Sequence, residues 1–195
     1  MYQNYIKRII DIIISLALSP LVLLISLCVG VAIKIEDRGR IFYNSTRLGQ
    51  EMIPFQMYKL RSMKENSKDL RNPDGTTFNS KDDPRVTKVG KFIRRTSLDE
   101  FPQIFNVLKG EMSLIGPRPS PLGDKSIYPR DFFSKFKVKP GITGYSQAIV
   151  RNNAKMDERI ALDRYYVENV SLILDIKIIF LTFKSVILRK NINRN

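Results

Sequence analysis

The chain has 195 residues, and its 33 Lys and Arg against 19 Asp and Glu give a formal charge of +14 and an isoelectric point near 10. That balance points to a polyanionic partner, whether nucleic acid, anionic lipid or a phosphorylated substrate. The absence of histidine and the single cysteine, Cys28, exclude an intrachain disulfide, a His-ligated zinc site and Ser-His or Cys-His nucleophile systems, leaving acid–base work to carboxylates, lysines and tyrosines.

The first element is apolar. No charged side chain occurs from Ile12 to Ile33, a length that as a helix covers a bilayer core of roughly 30 Å. Ser19-Pro20 lies in the middle of it. Proline removes a backbone donor and clashes with the preceding turn, so a bend is expected there, leaving two pieces too short to cross alone. Lys7 and Arg8 precede the run and Lys34, Arg38 and Arg40 follow it, so both flanks favour the cytoplasmic side. These residues allow a shallow hairpin, a proline-kinked spanning helix or a cleaved signal sequence. The length of the run and the acidic Asp11 speak against the last. About 160 residues follow it, enough for one compact domain with its own core.

Next, "GRIFYNSTRLG" and "IPFQMYKLRSM" alternate apolar and aromatic residues around a polar "GQEM" turn and predict a two-stranded hairpin, with Lys59 and Arg61 on one face. Residues 64–85 are polar and rich in turn signals, and read as a long surface loop. In "VGKFIRRTSLDEFPQIFNVLKGEM", Phe101, Ile104, Phe105 and Leu108 have the spacing of a buried helix face, closed by Gly110. Ser97 and Glu100 resemble a capping box, whereas Pro102 favours a cap at Leu98 or Asp99. Either start puts Asp99 and Glu100 at a helix N-terminus.

"SLIGPRPSPLG" is too rigid for a linker and too broken for a helix, and should present Arg118 in a fixed direction. "VKPGITGYSQ" is a second Gly/Pro turn, and "NNAKMDERIALDRYYVENV" predicts an amphipathic helix. In the tail, Ser171, Asp175, Thr182, Ser185 and Arg189 share one helical line and leave a broad apolar face. Such a helix suits either a membrane interface or the cover of a small core.

Adjacent acids at a helix start ordinarily serve as caps. Here they lie close in sequence to Arg94, Arg95 and Arg118, whose guanidinium forks suit phosphate. A diphosphate substrate with a divalent cation between the like charges fits this grouping, since magnesium takes one or two carboxylates plus phosphate oxygens. A carboxylate can also attack phosphorus and hold the phosphoryl group itself. The rival class is a membrane-tethered protein binding nucleic acid or anionic lipid. It is disfavoured by the scatter of basic residues and the lack of a nucleic-acid motif.

The runs "KRIIDIIISLALSPLVLL", "RLGQEMIPFQMYKLRSM", "DDPRVTKVGKFIRRTSLDEFPQIFNVLKGEMSLIGPRP" and "KPGITGYSQ" resemble, in order, the blocks of the bacterial sugar transferases, the monotopic polyprenol-phosphate phosphoglycosyl transferases. The resemblance implies transfer of a sugar 1-phosphate from a UDP-sugar to undecaprenyl phosphate with release of UMP. It also implies Mg2+ and a ping-pong route through a covalent phosphosugar enzyme. Carried onto this chain, it makes Asp99 the nucleophile and Glu100 its partner, both candidate metal ligands. Arg94 and Arg118 match basic positions near the phosphates, Arg151 matches a position linked with the nucleotide, and Ser19-Pro20 matches the helix break of a re-entrant anchor. With no spanning helix before Met1, the chain is similar to the small members that take UDP-N,N'-diacetylbacillosamine in protein N-glycosylation.

The expected fold is therefore α+β and mainly helical. It comprises a re-entrant membrane helix over 1–36 and a cytosolic catalytic domain over 37–195 with a short β-hairpin and a membrane-interface helix at 171–190. The implied setting is one leaflet of the bacterial inner membrane, on its cytoplasmic face, with no nucleic-acid partner.

Overall fold

The computed structural model describes residues 2–68, 70, 80, 83–123, 128–150 and 155–187. It is an α+β arrangement dominated by helices, with one long apolar helix at the N-terminus and two small sheets.

After a wide turn at Tyr2–Ile6, helix α1 runs from Lys7 to Asp37 with Pro20 inside it. The two pieces expected from the Ser19-Pro20 break are thus a single helix. A proline at 20 cannot donate to the carbonyl of residue 16. The Ser19 hydroxyl donates to that same Leu16 carbonyl at 2.9 Å, restoring the missing bond from the side chain. The helix is apolar and long enough to cross a membrane by length and composition.

Asp11, Ser15, Val22, Ser26, Val29 and Ile33, spaced by threes, fours and a seven, form one buried stripe along α1. Ile9, Ile13, Leu16, Leu24, Leu27 and Val31 stay exposed. Both ends are tied to the body of the protein. At the start, Lys7 pairs with Asp175 at 2.6 Å, Arg8 donates to the carbonyls of Val107 and Leu108, and Asp11 accepts from the Leu114 N–H. At the end, Glu36 accepts from the N–H groups of Lys88 and Val89, and Asp37 takes both terminal nitrogens of Arg61.

The predicted hairpin forms as β1 (Ser45–Leu48) and β2 (Pro54–Met57), antiparallel with Ser45 opposite Met57 and Leu48 opposite Pro54. Its tip is a tight turn in which Glu51 and Met52 both take positive φ.

Helix α2 (Lys88–Thr96) is capped by Thr87, whose side chain accepts from the Gly90 N–H. It ends at Ser97, which is left-handed at φ 59 and caps no following helix. The capping-box reading therefore fails. Leu98–Glu100 form a short 3₁₀ turn, and α3 (Gln103–Lys109) starts only after Pro102 and stops at Gly110, φ 85. The buried face of α3 also differs from the expected stripe. Gln103, Ile104, Asn106 and Val107 are buried, while Phe101, Phe105 and Leu108 are only half-buried.

Strand β3 (Ser113–Ile115) pairs in parallel with β5 (Gly141–Thr143), and β4 (Ser120–Pro121) joins the hairpin beside β1. The two Gly/Pro turns interlock here. A Cβ at Gly141 would sit 2.0 Å from the Gly116 nitrogen, and one at Gly144 would sit 2.1 Å from its carbonyl oxygen. Arg118 therefore leaves a loop that is braced on both sides.

Helices α4 (Tyr145–Ile149), α5 (Met156–Glu168) and α6 (Leu172–Ile187) complete the fold. Part of the polar line of the tail turns inward. Asp175 accepts from Tyr2, Lys7 and Tyr166, and the Thr182 hydroxyl meets that of Thr143. Ile173, Phe180 and Phe183 face out. The apolar interior is divided into small clusters, one around Ile115, Val138, Tyr166 and Ile178, another around Ile33, Leu60 and Ile93.

Candidate active site

The stretch that leaves β2, Tyr58 to Ser62, organises the site because alternate groups along it reach different elements. The Lys59 ammonium lies 2.6 Å from Glu100 Oε1. The Leu60 N–H donates to the Asp99 carbonyl at 2.9 Å, and the Ser62 hydroxyl accepts from Arg94 Nε at 2.8 Å. Lys59 and Arg61, expected on one face, hold different partners, since Arg61 pairs with Asp37 of α1.

Asp99 and Glu100 sit on the 3₁₀ turn between α2 and α3, and their surroundings are unequal. Glu100 Oε1 is shared by Lys59 and by Arg118, whose Nη2 is 3.1 Å away. Burial alone would raise the Glu100 carboxyl, but the charges of Lys59 and Arg118 and their hydrogen bonds outweigh it and hold the group well below the usual carboxylate range. The Asp99 carboxylate accepts no hydrogen bond from any described residue. Burial pushes its pKa up, Glu100 adds to this, and Lys59, Arg94 and Arg118 only partly counter it. Two neighbouring acids are thus driven apart, one fixed as an anion and one left free and more basic.

Arg94, half-buried on α2, is bonded through Nε alone among the described residues, so its two terminal nitrogens are left for a ligand. Its pKa is lowered by burial and partly restored by Asp99 and Asp83. Arg118 has a side chain 53% exposed and is raised chiefly by the charge of Glu100. Close by, Lys135 pairs with Asp163 at 3.4 Å, and Asp163 also accepts from the Ser146 hydroxyl at 2.6 Å. Burial lowers the Lys135 pKa, and the nearby charges of Arg118 and Arg159 add to that.

Of the residues singled out from sequence, the structure brings together Asp99, Glu100, Arg94 and Arg118. Arg151 lies outside the described residues, and Ser19 and Pro20 belong to α1. Sequence reasoning missed Lys59 as a site residue. Its one signal was a basic residue ending an alternating aromatic strand, which ordinarily means a solvent-facing side chain.

Three cations around two acids favour a ligand with more than one negative charge, as a diphosphate has. The unpartnered Asp99 carboxylate and the Glu100 oxygen not taken by Lys59 and Arg118 also suit a hard divalent cation that draws its other ligands from phosphate.

Comparison with known proteins matches residues 2–189 to the bacterial sugar transferase family. The chain is 38% identical over 188 residues to the UDP-glucose:undecaprenyl-phosphate glucose-1-phosphate transferase of Escherichia coli K12, covering 92% of this chain and 40% of that protein. It is 40% identical over 199 residues to the undecaprenyl-phosphate galactose phosphotransferase of Salmonella typhimurium, covering 96% and 41%. Against the UDP-N-acetylgalactosamine-undecaprenyl-phosphate N-acetylgalactosaminephosphotransferase of Aeromonas hydrophila the identity is 39% over 189 residues, covering 94% and 44%. The chain thus spans about two fifths of the length of the curated relatives it matches.

Proposed function

This chain belongs to the bacterial sugar transferase family, and from that membership and the geometry of its acidic pair we propose that it is a phosphoglycosyl transferase. It moves a sugar 1-phosphate from a UDP-sugar to undecaprenyl phosphate and releases UMP. The observation that carries this reading is the inequality of the pair: a free, basic Asp99 beside a Glu100 pinned as an anion by Lys59 and Arg118.

In the first step an Asp99 carboxylate oxygen attacks the phosphorus bonded to the sugar. The bond from that phosphorus to the oxygen bridging it to the UMP phosphate breaks, and UMP leaves with the bonding pair. In the second step a phosphate oxygen of the polyprenol carrier attacks the same phosphorus. The acyl-phosphate bond breaks, giving back the Asp99 carboxylate and a polyprenyl diphosphate sugar. Because the two anionic substrates use the site in turn, their repulsion is never met in one complex. Arg94 and Arg118 orient the phosphates and take up charge on their oxygens. Asp99 and Glu100 would hold a magnesium ion, which when bound supplies charge neutralisation to the diphosphate. Arg151 is assigned to the nucleotide.

The setting is a re-entrant anchor at the cytoplasmic face of the inner membrane. In support, both ends of α1 dock on the same body, basic residues flank both ends, and exposed apolar side chains cover the outer face of α1 and of α6. The donor sugar is proposed to be N-acetylated, UDP-N,N'-diacetylbacillosamine or a related compound, and a panel of UDP-sugars decides it.

Purified protein with magnesium, UDP-sugar and undecaprenyl phosphate should release UMP, and without the acceptor should gain the mass of a sugar phosphate on Asp99. Asp99→Asn should do neither. UMP release by that variant, or an adduct on another side chain, would exclude Asp99 as nucleophile.

A further inference from the structure

We propose that Asn106 is a positioning residue that sets Lys59 against the acidic pair; the idea rests on the phosphoryl-transfer reading above and deepens it. Asn106 lies on α3 with none of its surface exposed, and its whole amide is engaged. Oδ1 accepts from the Tyr58 N–H at 3.0 Å, while Nδ2 donates to the Gln56 carbonyl and to Glu111 Oε2, each at 2.7 Å. The Gln56 carbonyl and Tyr58 N–H are the two groups a neighbouring strand would take from this edge. The side chain therefore replaces a strand partner at the point where β2 ends, Met57. Its own backbone carbonyl receives the N–H groups of Glu111 and Met112, which fixes the turn that carries Glu111.

Two residues past Tyr58, the Leu60 N–H is held by the Asp99 carbonyl at 2.9 Å. Lys59 thus lies between two backbone anchors, and both anchors belong to the same short stretch that carries the acids, residues 99 to 106. The stretch that places Asp99 and Glu100 also fixes the height of the Lys59 stem, so the ammonium arrives on Glu100 with little freedom left. A buried amide is costly unless fully bonded, and here each of its polar atoms has a partner, on the Gln56 and Tyr58 backbone and on Glu111. What the amide adds is register.

The test compares full-length wild type, Asn106→Ala, Lys59→Met and the double variant, together with Glu111→Ala, which removes one amide acceptor from a partly exposed turn and should fold if Asn106→Ala does not. The first readout needs no turnover: acetylation of lysines by an amine-reactive ester, mapped by mass spectrometry. Lys59 should label several-fold faster in Asn106→Ala, and less strongly so in Glu111→Ala. Lys135, similarly shielded but paired with Asp163 of α5 and held by neither of these anchors, should keep its wild-type rate. The second readout is UMP release. Asn106→Ala should lose about 10- to 100-fold in kcat with KM for the UDP-sugar within about twofold, as expected of a misplaced group. In the Lys59→Met background it should add no further loss, because its effect passes through Lys59.

Unchanged Lys59 labelling, equal loosening of Lys135, or losses that add in full would overturn the proposal. If wild type releases no UMP from any UDP-sugar, the transferase reading fails separately, and the labelling comparison still decides what Asn106 does.

Discussion

Lys59 is the cation nearest Glu100, and it is also the largest influence opposing burial at Asp99. Replacing it by methionine keeps the stem and deletes the charge, so the pKa of both acids should rise. On the proposed route attack requires the ionised Asp99, whose fraction at a given pH falls as its pKa climbs. The acid limb of the UMP-release profile should therefore move to higher pH in Lys59→Met, with a loss of about 100-fold near neutrality, typical of removing one electrostatic contact. A profile that stays in place would separate Lys59 from the ionisation of Asp99. The sequence made Asp99, Glu100, Arg94 and Arg118 readable because they fall within one continuous block where acids and arginines meet. Lys59 and Asn106 were not readable. The first comes from 41 positions before its partner, and the second stands in a helix where an amide ordinarily means solvent.

Helix α2 shows how an element, rather than a residue, sets the aim of Arg94. Its Gly90 lies so close to the Tyr58–Ser62 stretch that an added Cβ would sit 1.9 Å from the Ser62 carbonyl oxygen, which is backbone and cannot swing away. Gly90→Ala must push α2 off that stretch, lengthening the Arg94 to Ser62 bond and separating Ile93 from Leu60. The expected cost is about 1–3 kcal/mol, the usual range for overpacking. It should be read as a lower midpoint of thermal unfolding in detergent, together with reduced UMP release. A variant with wild-type stability and rate would mean that this approach is slack. Helices α1, α5 and α6, the body of α3 and the hairpin were legible from their apolar patterns, whereas the nine-residue α2 and the five-residue α4, the latter inside a stretch rich in turn residues, were not. The parallel pair β3 and β5, three residues each, and β4, two residues, are too short to show an alternation. They form because glycines at 116, 141 and 144 let two backbones meet. The start of α3 was misplaced for a local reason: the left-handed Ser97 ends α2, and the acids then take a turn of their own.

At the scale of the molecule, the question is which side of a bilayer each end of α1 occupies. The first turns are held by α3, β3 and α6 through Arg8, Asp11 and Lys7, and the last by α2 and Arg61 through Glu36 and Asp37. A helix crossing the bilayer would need to surrender one of these sets, and with it ion pairs and hydrogen bonds whose partners, Asp175 and Arg61, are buried. Breaking a buried pair strands a charge at roughly 3–5 kcal/mol. The basic residues at both flanks, within a chain of charge +14, add their preference for one anionic surface. Single cysteines at Gln3 and Arg38, both exposed, in a Cys28→Ser background should react with an impermeant maleimide from the same side of oriented membrane vesicles. Reaction from opposite sides would mean that α1 crosses. For the proposed reaction, Asp99 would then have to reach the carrier phosphate without a shallow anchor holding it at headgroup depth.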